Sequence, residues 1–309
     1  MRIAAIADAH GNLAALEAVL RDAESRGVDS RIFLGDYVGE FPFPNEIISS
    51  IRAIGGEALL GNKERFILGL RGRREGETAD EQFAPLYWNY RELARENVDF
   101  IERMPASLDR EIEGVRLRAN HHSSALFSGT SLMRMGSKAY ANEMRERPFT
   151  HSEYLESLAD MARRDPAFAE RVDTLGGGLL VFGHSHVQWH LRSGGALLVN
   201  PGSCGLPLDF DARASYSIIE LSGGEAGVEE IRVPYDVGAA EGSLRASPLY
   251  AASPLWAELA IRHLADARER FSVFLDYIEG RAASLSRPNR PYDNDIWREA
   301  GREWLEGNG

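Results

Sequence analysis

The 309 residues suffice for one large domain, or one domain with an appendage, and 44% hydrophobic with 27% charged residues is ordinary globular composition, which excludes wholesale disorder. A formal charge of −12 excludes sequence-independent binding to DNA, RNA or anionic lipid, because those polyanions require a basic face that displaces their counterions. A lone cysteine, Cys204, excludes an intrachain disulfide framework and suits a reducing compartment.

The first segment, MRIAAIADAHGN, has a short apolar run, Ile3 to Ala7, that predicts a buried strand stopping at Asp8. Asp8 and His10 interrupt the run before it reaches the length of a signal-peptide core. No other run approaches the ~18 apolar residues of a membrane span. The expectation is a soluble, cytoplasmic protein. Leu13 to Arg26 places Leu13, Leu16, Val19 and Leu20 on one helical face, with Asn12 as N-cap and Gly27 as the stop. A strand at Arg31 to Leu34 ends in Gly35-Asp36, and the loop YVGEFPFP leads through Pro44 into a helix at Asn45 to Ile54, closed by Gly55-Gly56. A third strand, Glu57 to Leu60, ends in Gly61-Asn62-Lys63-Glu64. This alternation predicts βαβ units with a parallel sheet, whose ligand site lies beyond the carboxyl ends of the strands.

From Arg65 to Asn97 the pattern predicts helical segments around a polar loop, RGRREGETAD. Val115 to Ala119 predicts a strand running into Asn120-His121-His122, and residues 124 to 175 read as mostly helical. Leu179 to Phe182 predicts a strand meeting Gly183-His184-Ser185-His186. Trp189 to Arg192, Ala196 to Val199, Ser215 to Leu221 and Val228 to Pro234 follow as strands without helices between them, so the second half is expected to be more antiparallel. After about Val237, Ala, Leu, Arg and Glu at helical spacing predict a helical extension. The expected division is a domain over 1–236 and an extension over 237–309.

Five predicted strands thus end in polar clusters: Asp8-x-His10, Gly35-Asp36, Gly61-Asn62, His121-His122 and Gly183-His184-x-His186. Carboxylate, imidazole and amide oxygen suit divalent Zn, Mn, Fe or Ni, and seven such groups suffice for two ions if one carboxylate bridges them. Taken singly, Asp-x-His also fits a helix-capping loop, and Gly-Asp or Gly-Asn an ordinary turn. Their shared position at strand ends favours a common site.

In this order, D-x-H, G-D, G-N, H and G-H-x-H resemble the calcineurin-like metallophosphoesterase superfamily. The stretches MRIAAIADAHGNLAALEAVL, NPGSCGLP and DARASYSIIEL look like its small bacterial phosphodiesterase branch. The resemblance covers residues 1 to about 235 and is more specific for fold and metal site than for substrate. It implies an α/β fold of two stacked mixed β-sheets flanked by helices, here with a helical C-terminal extension. It also implies a dinuclear centre, with Asp8, His10, Asp36 and His186 on one ion and Asp36, Asn62, His121 and His184 on the other. Asp36 would bridge, and His122 would stand behind the ligands or substitute for His121. The family pattern usually has a single His followed by Gly at this position.

Two ions ~3.5 to 4 Å apart would make a bridging hydroxide available near neutral pH and neutralise phosphate oxygens during in-line attack. Manganese is favoured among the candidate metals. Cations in the pocket would let an acidic protein hold a small phosphorylated substrate, nucleotide-like ones among the candidates. Phosphodiester or phosphoanhydride hydrolysis is favoured over protein phosphatase activity, and an oligomer is possible.

The family pattern continues G-N-H-D, where His serves the departing oxygen. This chain has Lys63-Glu64 there. Lysine is a poor proton donor near pH 7 but a good positive charge, so Lys63 would favour leaving groups that need no proton. Alternatively, Lys63 points to solvent and Glu64 pairs with a nearby Arg, which would also fit a catalytically weak or inactive scaffold that binds proteins. Asn200-Pro201-Gly202-Ser203 resembles a family loop beside the metals and equally fits a simple turn. Cys204 reads as a buried small hydrophobe, and Tyr87, Trp88 and Tyr90 read as helix packing rather than a base-stacking platform. His151, His190 and His263 have no evident partners.

Overall fold

The computed structural model describes residues 1–73, 80–135 and 150–307. Strand β1 (Arg2–Ile6) shows how the fold is layered. Its Ala4 and Ile6 enter one apolar cluster with helix α1 (Leu13–Ser25), while Ile3 and Ala5 enter another on the opposite face. That period of two marks a strand buried on both sides. β1 pairs in parallel with β2 (Ser30–Phe33), and β2 with β3 (Glu57–Ala58). On its other edge, β1 is antiparallel to β9 (Ala214–Ser222), which is antiparallel to β10 (Glu225–Val233).

A second sheet has the order β4 (Ser107–Ile112), β5 (Val115–Asn120), β6 (Gly178–Phe182), β8 (Ala196–Pro201), β7 (Gln188–Ser193), parallel at β5–β6–β8 and antiparallel at both ends. The sheets stack on a shared core of Ile3, Ala5, Ile32 and Leu34 from one and Leu117, Leu179, Val181 and Val199 from the other. Helices α2 (Pro44–Ile54), α3 (Asn62–Gly69), α4 (Ala84–Glu92) and α5 (Arg95–Glu102) follow in the first half of the chain. Ile48, Ile67 and Ile101, from α2, α3 and α5, join α1 in the cluster outside the first sheet. Short α6 (Ser124–Phe127) and α7 (Leu132–Met135), with α8 (His151–Arg164) and α9 (Pro166–Leu175), cover the second sheet through Phe127, Leu132, Tyr154 and Phe168.

The rest of the described chain is α10 (Val237–Arg245), α11 (Pro248–Ala252), α12 (Pro254–Asp266), α13 (Phe271–Ser284) and α14 (Asn294–Gly307). Leu259, Phe274, Ile278, Trp297 and Trp304 give these helices their own core, which also takes in Phe41, Trp88 and Leu206 from the sheet-bearing part. The helical C-terminal region is therefore welded on beside the strand-end loops. Trp88 and Tyr87 are buried, in keeping with helix packing. No described helix is long and apolar enough to cross a membrane.

The expected two mixed sheets flanked by helices are present, with local differences. Strand β4 was not expected, because Asp109, Arg110 and Glu111 break its apolar pattern; it is an edge strand with only Leu108 fully buried. β3 is shorter than its apolar run: Leu59 N–H still donates to Phe33 O, but Leu60 N–H turns away to Pro105 O. Parts of the expected RGRREGETAD loop (74–79) and of the helical stretch 124–175 (136–149) lie outside the described residues.

The histidines without evident partners do have them. His263 Nε2 lies 2.7 Å from Pro207 O. His151 on α8 and His190 on β7 both reach Glu230 on β10, at 2.5 and 2.7 Å. Arg232 and Asp209 pair nearby. The hydrogen bond to Glu230 raises the His151 pKa. Burial alone would raise Glu230, but His151 and His190 hold it down at about 2. A raised His contributes stability fully below its unfolded value near ~6.5 and loses it as pH rises through the folded value; the lowered Glu contributes above ~4.5 and loses it only towards pH ~2. The link should therefore be strongest between roughly pH 5 and 6.5. Since His151 is partly exposed, His151→Ala is expected to lower Tm by only roughly 1–2 °C at pH 6, and by less at pH 9, in paired thermal melts.

Candidate metal centre

The polar clusters sit at the carboxyl ends of β1, β2, β3, β5 and β6, so stacking the two sheets brings their loops to one edge. The first two loops run alongside each other: Asp8 N–H donates to Gly35 O, His10 N–H to Asp36 O and Gly11 N–H to Tyr37 O, at 3.0, 3.0 and 2.7 Å. The last loop closes over them as His184 N–H donates to Asp8 Oδ2 at 2.9 Å. Gly183 fits here because a Cβ would stand 3.0 Å from Ala7 Cβ and 3.1 Å from Asp8 Oδ2. Gly61 is more constrained still, since a Cβ would lie 2.2 Å from Asp36 N.

Two clusters result. Asp8, His10 and His186 form one, and Asp36, His121 and His184 the other, each with ligand atoms within 4.8 Å of one another. Asp8, His10, Asp36, His184 and His186 all have φ between 52° and 69°, a left-handed conformation that side chains with a Cβ rarely adopt. Such strain concentrates where the surrounding structure holds a functional geometry in place.

The imidazoles are oriented from behind. His121 Nδ1 donates to Leu34 O and His186 Nδ1 to Leu206 O, each at 2.7 Å, while His10 Nδ1 meets Glu40 Oε2 at 2.6 Å. These partners assign the proton to Nδ1 and leave Nε2 as a lone pair. His10 and His186 then face each other Nε2 to Nε2 at 3.0 Å. Asp8 Oδ1 and His121 Nε2 are buried without a hydrogen-bond partner, and His121 Nε2 stands 3.5 Å from Asp36 Oδ1. Lone pairs and carboxylates converging in a buried space fit divalent cations.

The electrostatics agree. Burial, with Asp36 nearby, pushes Asp8 up to about 6 against the pull of His121 and His10. Burial alone would also raise Asp36, but His121, His10 and Lys63 hold it well below the usual carboxylate range. Burial would depress His121, yet Asp36 and Asp8 raise it to about 9.

Asn62 Nδ2 lies 3.0 Å from His184 Nδ1. His122 lies outside both clusters; its Nδ1 accepts from Ser124 N–H at 2.9 Å and its ring centre is 4.2 Å from that of His184. Asn200 Nδ2 donates to Gly183 O and Ser185 Oγ, and Ser203 Oγ to Asp8 O, so the NPGS stretch braces the site. Cys204 is fully buried and its thiol is pushed upward by burial, as a small hydrophobe.

The alternative in which Lys63 points to solvent and Glu64 pairs with Arg is overturned. Lys63 Nζ donates to Glu40 Oε1 at 2.6 Å. Glu64 is fully buried and accepts backbone N–H bonds from Asp36, Tyr37 and Gly61 at 2.9, 2.8 and 3.0 Å, with Val38 at 3.4 Å. Sequence reasoning missed Glu40 altogether, because its loop has no periodicity to orient it.

Residues 1–224 match the calcineurin-like phosphoesterase superfamily domain. The chain belongs to that superfamily. This calcineurin-like phosphoesterase is 29% identical over 256 residues to an uncharacterized protein of Methanocaldococcus jannaschii, spanning 76% of this chain and 88% of the relative. A solved metallophosphoesterase from Sphaerobacter thermophilus shares 27% identity and a TM-score of 0.60 over 86% of this chain and 99% of that one. A solved hypothetical protein from Pyrococcus horikoshii OT3, at 19% identity and TM-score 0.60 over 85% and 97%, has a similar fold. By family, this phosphoesterase is a phosphoric ester hydrolase, and its two clusters are candidate divalent-metal sites.

Proposed function

We propose that this phosphoesterase hydrolyses phosphodiesters or phosphoanhydrides of small substrates, nucleotide-like ones among them, with two divalent ions, manganese favoured over iron, zinc or nickel. The observation that carries the reading is the pair of clusters, each with one buried ligand atom that has no hydrogen-bond partner, Asp8 Oδ1 in the first and His121 Nε2 in the second. Asp8, His10, Asp36 and His186 would hold one ion, and Asp36, Asn62, His121 and His184 the other. When bound, the ions would supply activated water and charge for the phosphoryl oxygens.

The chain's own residues fix the geometry. Asp36 would serve both ions; its Oδ1 accepts from Lys63 N–H at 2.9 Å and stands 3.5 Å from His121 Nε2. His122, beside His184, borders the second cluster. Residues 1–236 would carry the chemistry, with 237–309 as a helical extension that supports the loops. A cytoplasmic setting is consistent with the single buried thiol.

Metal analysis of purified protein, joined to a phosphatase and phosphodiesterase panel with added Mn, tests this directly. Two metals per chain with turnover supports it; full occupancy without turnover on any ester favours a scaffold.

Lys63 is proposed as a catalytic residue that supplies positive charge, rather than a proton, to the departing oxygen. Its bond to Glu40 keeps an ammonium beside His10, leaving two further N–H donors. With leaving groups of graded pKa, Lys63→His is expected to flatten the dependence of kcat/KM on leaving-group pKa by roughly tenfold across the series. An unchanged slope would remove Lys63 from this role.

A further inference from the structure

We propose that Glu40 is a positioning residue for His10, and that Lys63 holds Glu40 in that role; this rests on the metal-dependent reading above. One carboxylate is divided between two partners, with Oε2 2.6 Å from His10 Nδ1 and Oε1 2.6 Å from Lys63 Nζ. Glu40 and His10 are buried, 8% and 1% exposed, so the carboxylate has little water to satisfy it. Lys63 offsets its charge, and its pKa stays well below the usual range despite burial, because Lys63 and His10 both favour the ionised form.

The loop is built to deliver this contact. Gly39 has φ +146°, and a Cβ there would stand 3.2 Å from His10 Nδ1 and 3.6 Å from Lys63 Cε. Glycine thus leaves the space through which both side chains reach Glu40. Its carbonyl is held by Asn89 Nδ2 on α4 at 2.7 Å, and Phe41 N–H donates to His10 O at 2.9 Å. Four anchors from three separate segments therefore set one carboxylate. The consequence for His10 is a fixed ring and a fixed tautomer, with the Nε2 lone pair aimed at Asp8 and His186. Carboxylates behind metal-ligating imidazoles orient the ring and raise its basicity.

Lys63 therefore does more in this chain than replace a histidine. Through Glu40 it ties the start of α3, which carries Asn62 beside His184 of the second cluster, to His10 of the first. Losing the ammonium leaves a buried carboxylate short of one partner, which is free to swing away from the imidazole.

The test titrates metal-free wild type, Glu40→Gln, Glu40→Ala and Lys63→Met with MnCl2 by calorimetry, and records long-range 1H–15N spectra of the metal-free proteins with labelled histidine. Wild type is expected to bind two Mn, and Glu40→Ala to weaken one of them roughly 10–100-fold while sparing the other. Glu40→Gln, whose amide oxygen still accepts from Nδ1, should fall between, and Lys63→Met should weaken the same site. His10 should show an Nδ1–H tautomer that becomes mixed in Glu40→Ala. Wild-type affinities at both sites in Glu40→Ala, or equal weakening of both, would overturn the proposal. If Glu40→Ala does not fold, Glu40→Gln decides, and wild-type affinity with an unaltered tautomer overturns it. A wild type that takes up no Mn would instead defeat the functional reading itself, whereas the His10 spectrum would still report on the contact with Glu40.

Discussion

Asp36→Asn is expected to lower phosphoester turnover by at least ~10³-fold, equivalent to about 4 kcal/mol of barrier, without unfolding the protein. The amide is isosteric and its oxygen can still accept from Lys63 N–H, now 2.9 Å from Asp36 Oδ1. What disappears is the charge facing His121, His10 and Lys63, the three groups that keep Asp36 ionised in spite of its burial. An acid held below its ordinary range stabilises the fold when ionised, so the metal-free protein loses that contribution, offset in part by relief of the repulsion between buried Asp8 and Asp36. Tm in chelator is therefore expected to fall modestly, while the stabilisation that added Mn gives the wild type through mass action should largely vanish. Turnover retained within tenfold would show that Asp36 does not join the two clusters.

The site was legible to the extent that chemistry and strand ends coincide in the sequence. Asp8, His10, Asp36, His121, His184 and His186 are polar groups directly after apolar runs, and a parallel sheet carries such groups to one edge. Their convergence in two clusters needs the stacking of the two sheets as well, since each cluster takes residues from both. Glu40 was invisible for the opposite reason. It lies in an aperiodic loop, and its reach to His10 depends on the space at Gly39 and the anchor from Asn89. His151 and His190 looked solitary because Glu230 is 79 and 40 residues away along the chain. Strand β4 failed to register because an edge strand that buries only Leu108 fully has no alternation to display. The order of sheets and clusters is thus carried by local patterns, while the supports behind the ligands come from tertiary placement.

Glu64→Ala is expected to cost about 3–5 kcal/mol of folding stability, the largest effect of any single change considered. Glu64 is the third residue of α3 and reaches back to the N–H of Gly61, which precedes the helix. Its two oxygens also take the N–H groups of Asp36 and Tyr37, with Val38 at longer range. Burial and the nearby Asp36 push its pKa up to about 7 against the pull of those donors, yet in either protonation state it is their acceptor. Alanine would leave buried N–H groups on the Asp36 loop and at Gly61 with no partner, and no side chain can enter from Gly61 to replace it. Glu64→Gln keeps one acceptor oxygen but turns an NH₂ towards the remaining donors, so about 2 kcal/mol is expected. Urea unfolding in chelator separates this from any metal contribution. With a total stability of roughly 5–15 kcal/mol for a folded chain, the alanine variant should be near its threshold at 37 °C and the glutamine variant still folded. A loss under about 1 kcal/mol for Glu64→Ala would mean that water or the backbone replaces the carboxylate, and that the Asp36 loop holds its shape without it.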